Sequence, residues 1–116
     1  LDLGILTGDF DELMAQQACK DYYMHGLGHW LGLDVHDVGD YKINNVERAF
    51  EPGMVLTIEP GLYISEDSNA PQKYKGIGIR IEDNLLVTES GYDNLTINVP
   101  KTISEIEALM QSAKNA

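Results

Sequence analysis

Cations and cysteines are scarce in this 116-residue chain. Eight Lys and Arg stand against nineteen Asp and Glu, which gives a formal net charge of −11 at pH 7. Proteins bind nucleic-acid phosphates through clustered cations, so this composition argues against nucleic acid as a partner. The single cysteine, Cys19, cannot form a disulfide within the chain and favours a reducing compartment. We interpret Cys19 as a small buried side chain of a helix rather than a reactive thiol.

Long apolar runs are also missing. No segment approaches the ~20 apolar residues that span a bilayer, and no signal-peptide pattern opens the chain. We therefore expect a cytoplasmic protein without a membrane partner. The content of hydrophobic residues, 43%, is typical of part or all of one globular domain. Because the sequence begins at Leu1 and runs directly into its motifs, we interpret it as a fragment of a longer polypeptide.

Two segments have helical patterns. Apolar residues recur at helical spacing from about Phe10 to Tyr23, and acidic residues stand at the start, where they favour a helix N-terminus. Near the end of the chain, Thr102 and Glu105 form a potential capping box, which predicts a helix through about Ala113.

The segments between these helices have strand composition. Strands are predicted over residues 54–59, 62–64 and 77–82, the last with isoleucines alternating on one face. The pair Asp83-Asn84 is predicted to turn the chain into a partner strand over residues 85–88. The whole pattern indicates an α+β fold with an antiparallel sheet.

All three histidines of the chain fall within the stretch "HGLGHWLGLDVH", as His25, His29 and His36. Its dense glycines disfavour a helix, so we predict a turn and an extended segment. Imidazole nitrogens bind borderline metals or move protons near neutral pH. Ordinary surface or core histidines remain the alternative interpretation.

Two glutamates complete a mixed set of metal-binding groups. Glu59 ends an apolar strand, where its carboxylate must reach solvent, pair with a cation or bind a metal. Glu82 lies two positions after Arg80, so the two could form a surface ion pair, although Gly78 on that face leaves room for a ligand. Together with His29, the two carboxylates suit a hydrolytic manganese, cobalt or zinc site better than a structural zinc site.

Three motifs in order, "HGLGHWLGLDVHDVG", "FEPGMVLTIEPGLYI" and "GIGIRIEDNLLVTESGYDNLT", resemble the C-terminal half of the catalytic domain of the aminopeptidase P family. These are the Xaa-Pro aminopeptidases among the pita-bread metallopeptidases. The resemblance implies a pita-bread fold, here its C-terminal half with a curved antiparallel sheet and flanking helices. Residues 1–116 would then be the C-terminal part of one catalytic domain, without its first half and without the N-terminal domain.

The resemblance also implies a ligand set. His29, Glu59 and Glu82 would bind two divalent metal ions, manganese before cobalt or zinc, with Glu82 bridging both ions. The family has two further aspartate ligands on an upstream hairpin, and no aspartate of this chain matches them. The site would therefore be incomplete here, so we expect the isolated chain to bind metal weakly and to be inactive.

The remaining site residues have implied catalytic roles. Glu59 would also assist proton transfer, and His36 would contact the substrate carbonyl. His25 would line the substrate pocket, while Arg80 would hold the site carboxylates in place. The implied substrate is a peptide with proline at its second position, and the longer protein could act as a homo-oligomer. A prolidase that cleaves Xaa-Pro dipeptides and a non-catalytic pita-bread binding module are the alternatives.

Overall fold

The structure, a computed structural model, describes residues 1–114 of the chain. Those residues form two α-helices and seven short strands. In chain order the elements are α1 (Phe10–Ala15), β1 (Lys42–Ile43), β2 (Val46–Glu47), β3 (Val55–Ile58), β4 (Gly61–Tyr63), β5 (Gly78–Arg80), β6 (Asp83–Thr88), β7 (Gly91–Asn94) and α2 (Ile103–Lys114). Short 3-10 helices cover Ala18–Asp21 and Gln72–Tyr74.

Every pair of these strands is antiparallel. The largest sheet has the order β3-β6-β7, while β1-β2 and β4-β5 form separate two-stranded sheets. The prediction of an α+β fold with antiparallel strands is therefore confirmed. Because β3 and β4 follow one another with only Glu59 and Pro60 between them, this link joins the largest sheet to the β4-β5 sheet.

The predicted turn at Asp83-Asn84 is wrong, since both residues belong to β6. Asp83 pairs with Ile58 and Asn84 with Thr57, so their backbone groups continue the ladder. Thr96 further stabilises this end of β6, because its Oγ1 donates to Asp83 Oδ1 at 2.8 Å and accepts from the Asn84 N–H at 3.1 Å. The chain turns earlier, in the link at residues 81–82, and the predicted strand over 77–82 is shortened to β5.

The single helix predicted over residues 10–23 is also wrong. Asp9 caps α1 by accepting the N–H groups of Asp11 and Glu12, but α1 ends at Ala15. Gln17 has a φ of 54°, and a left-handed residue cannot continue a right-handed helix. The prediction of a buried Cys19 fails for the same reason, because Cys19 lies exposed on the 3-10 helix that follows.

The capping box at the C-terminal helix is confirmed. Glu105 Oε2 accepts from the backbone N–H of Thr102 at 3.0 Å, and Thr102 Oγ1 accepts from the N–H of Glu105 at 3.3 Å. These hydrogen bonds satisfy two donors that a helix leaves free at its start. Just before the box, Lys101 Nζ lies 3.0 Å from Asp83 Oδ1 and ties the entry of α2 to β6. Hydrogen bonds from Thr96 and then Lys101 lower the pKa of Asp83.

Few side chains are buried in the described part of the chain. One cluster consists of Tyr22, Ile64 and Ala70. In a second group, Trp30 stacks on Tyr41 with ring centroids 5.3 Å apart and meets the edge of Phe50. Within residues 1–114, neither α1 nor α2 is long and apolar enough to cross a membrane.

Candidate active site

The histidine-rich segment lies as an extra extended chain along β3, on the edge that does not pair with β6. Leu31 N donates to Val55 O, Thr57 N to His29 O, and Glu59 N to Leu27 O. This confirms the prediction that the segment is extended rather than helical. Since His29 lies opposite Thr57, and Glu59 is two positions further along, all three side chains share one face.

Thr57 and Gly28 make this pairing unusually close. The N–H of His29 donates to Thr57 Oγ1 at 3.0 Å, in place of the Thr57 carbonyl that a regular ladder would use. A Cβ at position 28 would lie 1.8 Å from that carbonyl oxygen, so only glycine fits there. The absence of a side chain at Gly28 thus lets Thr57 approach His29.

Glu59 is buried, with 7% of its surface exposed, and its carboxylate is surrounded by partners. Oε1 accepts a hydrogen bond from Thr57 Oγ1 at 2.9 Å and lies 3.1 Å from His29 Nε2. Oε2 accepts from Arg80 Nη1 at 3.1 Å. A carboxylate in such a place is costly unless it is paired, and the hydrogen bonds from Thr57 and Arg80 offset that cost.

The hydrogen bonds of His29 define its tautomer. Nδ1 lies 2.9 Å from the carbonyl oxygen of Trp30, which can only accept, so Nδ1 carries a proton. Nε2 therefore directs either a lone pair or a second proton at Glu59 Oε1. A divalent cation fits the first case, because two ligands bound at right angles and about 2.1 Å from one ion lie about 3.0 Å apart.

His36 joins this group, whereas His25 has other partners. The rings of His36 and His29 are in contact, with centroids 4.3 Å apart. His25 Nδ1 donates to Gly26 O at 2.8 Å, and the hydroxyl of Tyr63 donates to His25 Nε2 at 2.8 Å. The structure thus brings three of the predicted side chains, those at 29, 36 and 59, together with Arg80.

Glu82 is exposed and lies in the link between β5 and β6. The ion pair between Arg80 and Glu82, which the sequence allowed, is replaced by the pair between Arg80 and Glu59. Glu82 borders a cavity of about 220 Å³ that Lys101 and Ile106 also line. Among residues 1–114, no three His, Cys, Asp or Glu side chains are close enough together to hold a metal ion. The ligand set therefore stays a prediction.

Sequence reasoning missed two residues of this region. Thr57 contacts both His29 and Glu59, and Tyr63 holds the ring of His25. The alternation of strand residues could have found Thr57, because a residue two positions before Glu59 shares its face. No comparable signal marked Tyr63, whose contact spans 38 positions of the sequence.

Comparisons with known proteins identify the family of this chain. The sequence model of metallopeptidase family M24 matches residues 3–89. A Xaa-Pro aminopeptidase of Haemophilus influenzae is 64% identical over 110 residues, which are 95% of this chain and 25% of that protein. The chain thus spans about a quarter of the length of the curated relatives that it matches.

Solved structures give the same result. Aminopeptidase P from E. coli with the inhibitor Pro-Leu matches with a TM-score of 0.90 at 59% identity, over 99% of this chain and 26% of that one. Zinc-substituted E. coli aminopeptidase P in complex with product matches with a TM-score of 0.89 at 61% identity, over 97% and 25% of the two chains. These likenesses confirm the predicted pita-bread fold. Both the sequence and the fold place the chain in metallopeptidase family M24, to which it belongs.

Proposed function

We propose that this chain is the C-terminal part of the catalytic domain of a metal-dependent Xaa-Pro aminopeptidase. The complete enzyme releases the N-terminal residue from peptides whose second residue is proline. The buried carboxylate of Glu59, contacted by His29, Thr57 and Arg80, is the observation that carries this proposal. A hydrolytic metal site needs such a preorganised group, and the relatives are named Xaa-Pro aminopeptidases.

The proposed cofactor is a pair of divalent ions, manganese before cobalt or zinc. His29, Glu59 and Glu82 would hold the ions from this chain, and carboxylates from the rest of the catalytic domain would complete the site. One nitrogen donor and several carboxylate oxygens suit these metals. When bound, the ions supply the Lewis acidity that activates water and polarises the peptide carbonyl.

The other roles belong to side chains of this chain. Glu59 accepts and returns a proton during attack and release, and Arg80 keeps Glu59 Oε2 in a fixed position. His36, exposed beside His29, donates to the carbonyl oxygen as negative charge develops on it. His25 lines the substrate pocket, where its ring is held by Tyr63. The scissile amide is tertiary because proline follows it, so the pocket must accept a ring in place of an N–H.

The test compares the full-length protein that carries this chain with the 116-residue chain itself. Both are assayed for manganese content and for cleavage of a tripeptide with proline at its second position, with and without added manganese. We expect manganese-dependent cleavage by the full-length protein and none by the chain alone. Cleavage of Xaa-Pro dipeptides but not of the tripeptide would show a prolidase instead. A full-length protein that neither binds metal nor cleaves either peptide would be a binding module, and the proposal would be wrong.

A further inference from the structure

We propose that Thr57 is a positioning residue of this site, whose hydroxyl holds Glu59 Oε1 in the orientation that faces His29. This inference rests on the function proposed above and assigns a role within that site. Thr57 lies at the centre of the contact between the histidine segment and β3, where its hydroxyl touches both segments. Among the described residues, no other side chain connects the backbone of His29 to the carboxylate of Glu59 through hydrogen bonds.

The direction of the two hydrogen bonds at Thr57 is determined by its partners. The backbone N–H of His29 can only donate, so Oγ1 accepts there. A hydroxyl has one proton, and Glu59 Oε1 at 2.9 Å is the acceptor that remains for it. The hydrogen bonds therefore run in one direction, from the main chain of His29 through Thr57 to the carboxylate of Glu59.

Burial makes the hydroxyl hard to replace. Thr57 is 1% exposed, so water has little access to its side chain. The backbone on both sides is also held, because Thr57 N donates to His29 O and the Thr57 carbonyl lies against Gly28. Removing the hydroxyl would leave the N–H of His29 without this acceptor and would remove the hydrogen bond that Thr57 donates to the buried carboxylate, and both losses are costly.

This arrangement also distinguishes the two oxygens of Glu59. Oε1 uses one acceptor position for Thr57 and directs the other at His29 Nε2. Oε2 accepts from Arg80 and keeps a second acceptor position. Thr57 thus fixes Oε1 beside His29, while Arg80 fixes Oε2.

The experiment uses three variants of the full-length protein. Thr57→Val removes the hydroxyl but keeps the branched shape, and Thr57→Ser keeps the hydroxyl. Thr88→Val is the matched control, since Thr88 lies on β6 four residues beyond Asn84, the partner of Thr57, which is about 14 Å along the strand. The measurements are manganese affinity by calorimetry, thermal unfolding without metal, and the pH profile of kcat.

We expect Thr57→Val to weaken manganese binding by about 10- to 100-fold, because the loss of a group that orients a metal ligand weakens metal binding by this amount. The pH profile of kcat should shift as well, because Glu59 loses the hydrogen bond from Thr57. Thr57→Ser and Thr88→Val should both stay near the wild type. Wild-type affinity in Thr57→Val would overturn the inference. An equal loss in Thr57→Ser would overturn it too, because the methyl group rather than the hydroxyl would then be responsible.

A structural readout separates this inference from the proposed function. If the wild-type protein fails to cleave the tripeptide or to bind manganese, the proposed function fails. Thr57 is then tested by the crystal structure of metal-free Thr57→Val protein. We expect its Glu59 Oε1 to move beyond about 3.5 Å from His29 Nε2, outside hydrogen-bond distance. An unchanged carboxylate in that structure would refute the role of Thr57 whatever the protein's activity.

Discussion

The imidazole ring of His36 lies against that of His29, with ring centroids 4.3 Å apart and ring planes inclined at 57°. His29 is the more enclosed of the two, because Trp30 O and Glu59 Oε1 contact its two nitrogens. His36 is exposed. The outer ring is thus accessible from outside, while the inner ring faces the carboxylate.

Replacing His36 should separate catalysis from metal binding. In the full-length protein we expect His36→Ala to lower kcat by about 100-fold or more, the usual cost of losing one donor to a developing oxyanion. Its manganese content should stay at the wild-type level, as measured by elemental analysis. His36→Gln keeps a donor and should lose less activity. An equal loss of metal and activity in His36→Ala would instead make His36 a ligand.

Glu82 should prove essential although it is exposed here. We expect Glu82→Ala to abolish manganese-dependent cleavage and to lower the manganese content, because its carboxylate is one of the proposed metal ligands. Glu89→Gln is the control, since Glu89 is an exposed carboxylate that follows the other end of β6. Full activity in Glu82→Ala would show that the assignment is wrong.

The close approach at Gly28 predicts a sharp contrast between two neighbouring glycines. Gly28→Ala would put a Cβ 1.8 Å from Thr57 O, so we expect it to lower the free energy of unfolding by about 1–3 kcal/mol and to weaken metal binding. At Gly26, a Cβ would meet its nearest atom, Gly28 O, at 3.8 Å, which is an ordinary contact. Gly26→Ala should therefore behave like the wild type in chemical denaturation. Equal stability of the two variants would contradict the close pairing of the histidine segment with β3.

The capping box predicts an acid-sensitive start of α2. Hydrogen bonds from the Thr102 backbone and hydroxyl, and then from the Lys101 N–H, lower the pKa of Glu105. A carboxylate whose pKa is lower in the folded state stabilises that state above its unfolded pKa of about 4.3. This stabilisation disappears as the pH falls through the folded pKa. An NMR titration with labelled glutamate should place the pKa of Glu105 below the ordinary value, and Thr102→Val should move it back.

Local patterns in the sequence predicted the parts of the fold that depend on neighbouring residues. The capping box at Thr102 and Glu105, the apolar strand before Glu59 and the extended histidine segment all follow from short-range chemistry. The errors arose where distant contacts decide the outcome. Asp83 and Asn84 have the composition of a turn, yet pairing with Ile58 and Thr57 makes them a strand.

The candidate site also combines features that the sequence predicted with features that depend on distant contacts. Spacing and residue type singled out His29, His36 and Glu59, which the structure places together. The partner of Arg80 could not be predicted, because Glu82 is two positions away in sequence and Glu59 is brought near only by the pairing of β4 with β5. The supporting hydroxyl of Thr57 became apparent only once the histidine segment was seen to pair with β3.

Glu59 and Pro60 form a joint between two sheets that have no strand in common. Thr57 and His29 contact the carboxylate from the side of the largest sheet, and Arg80 contacts it from the β4-β5 sheet. The carboxylate is therefore held from both sheets at once, so a change in the angle between the sheets would alter its contacts with at least one of them. The position of Glu59 thus depends on how the two sheets are arranged as well as on the side chains that touch it.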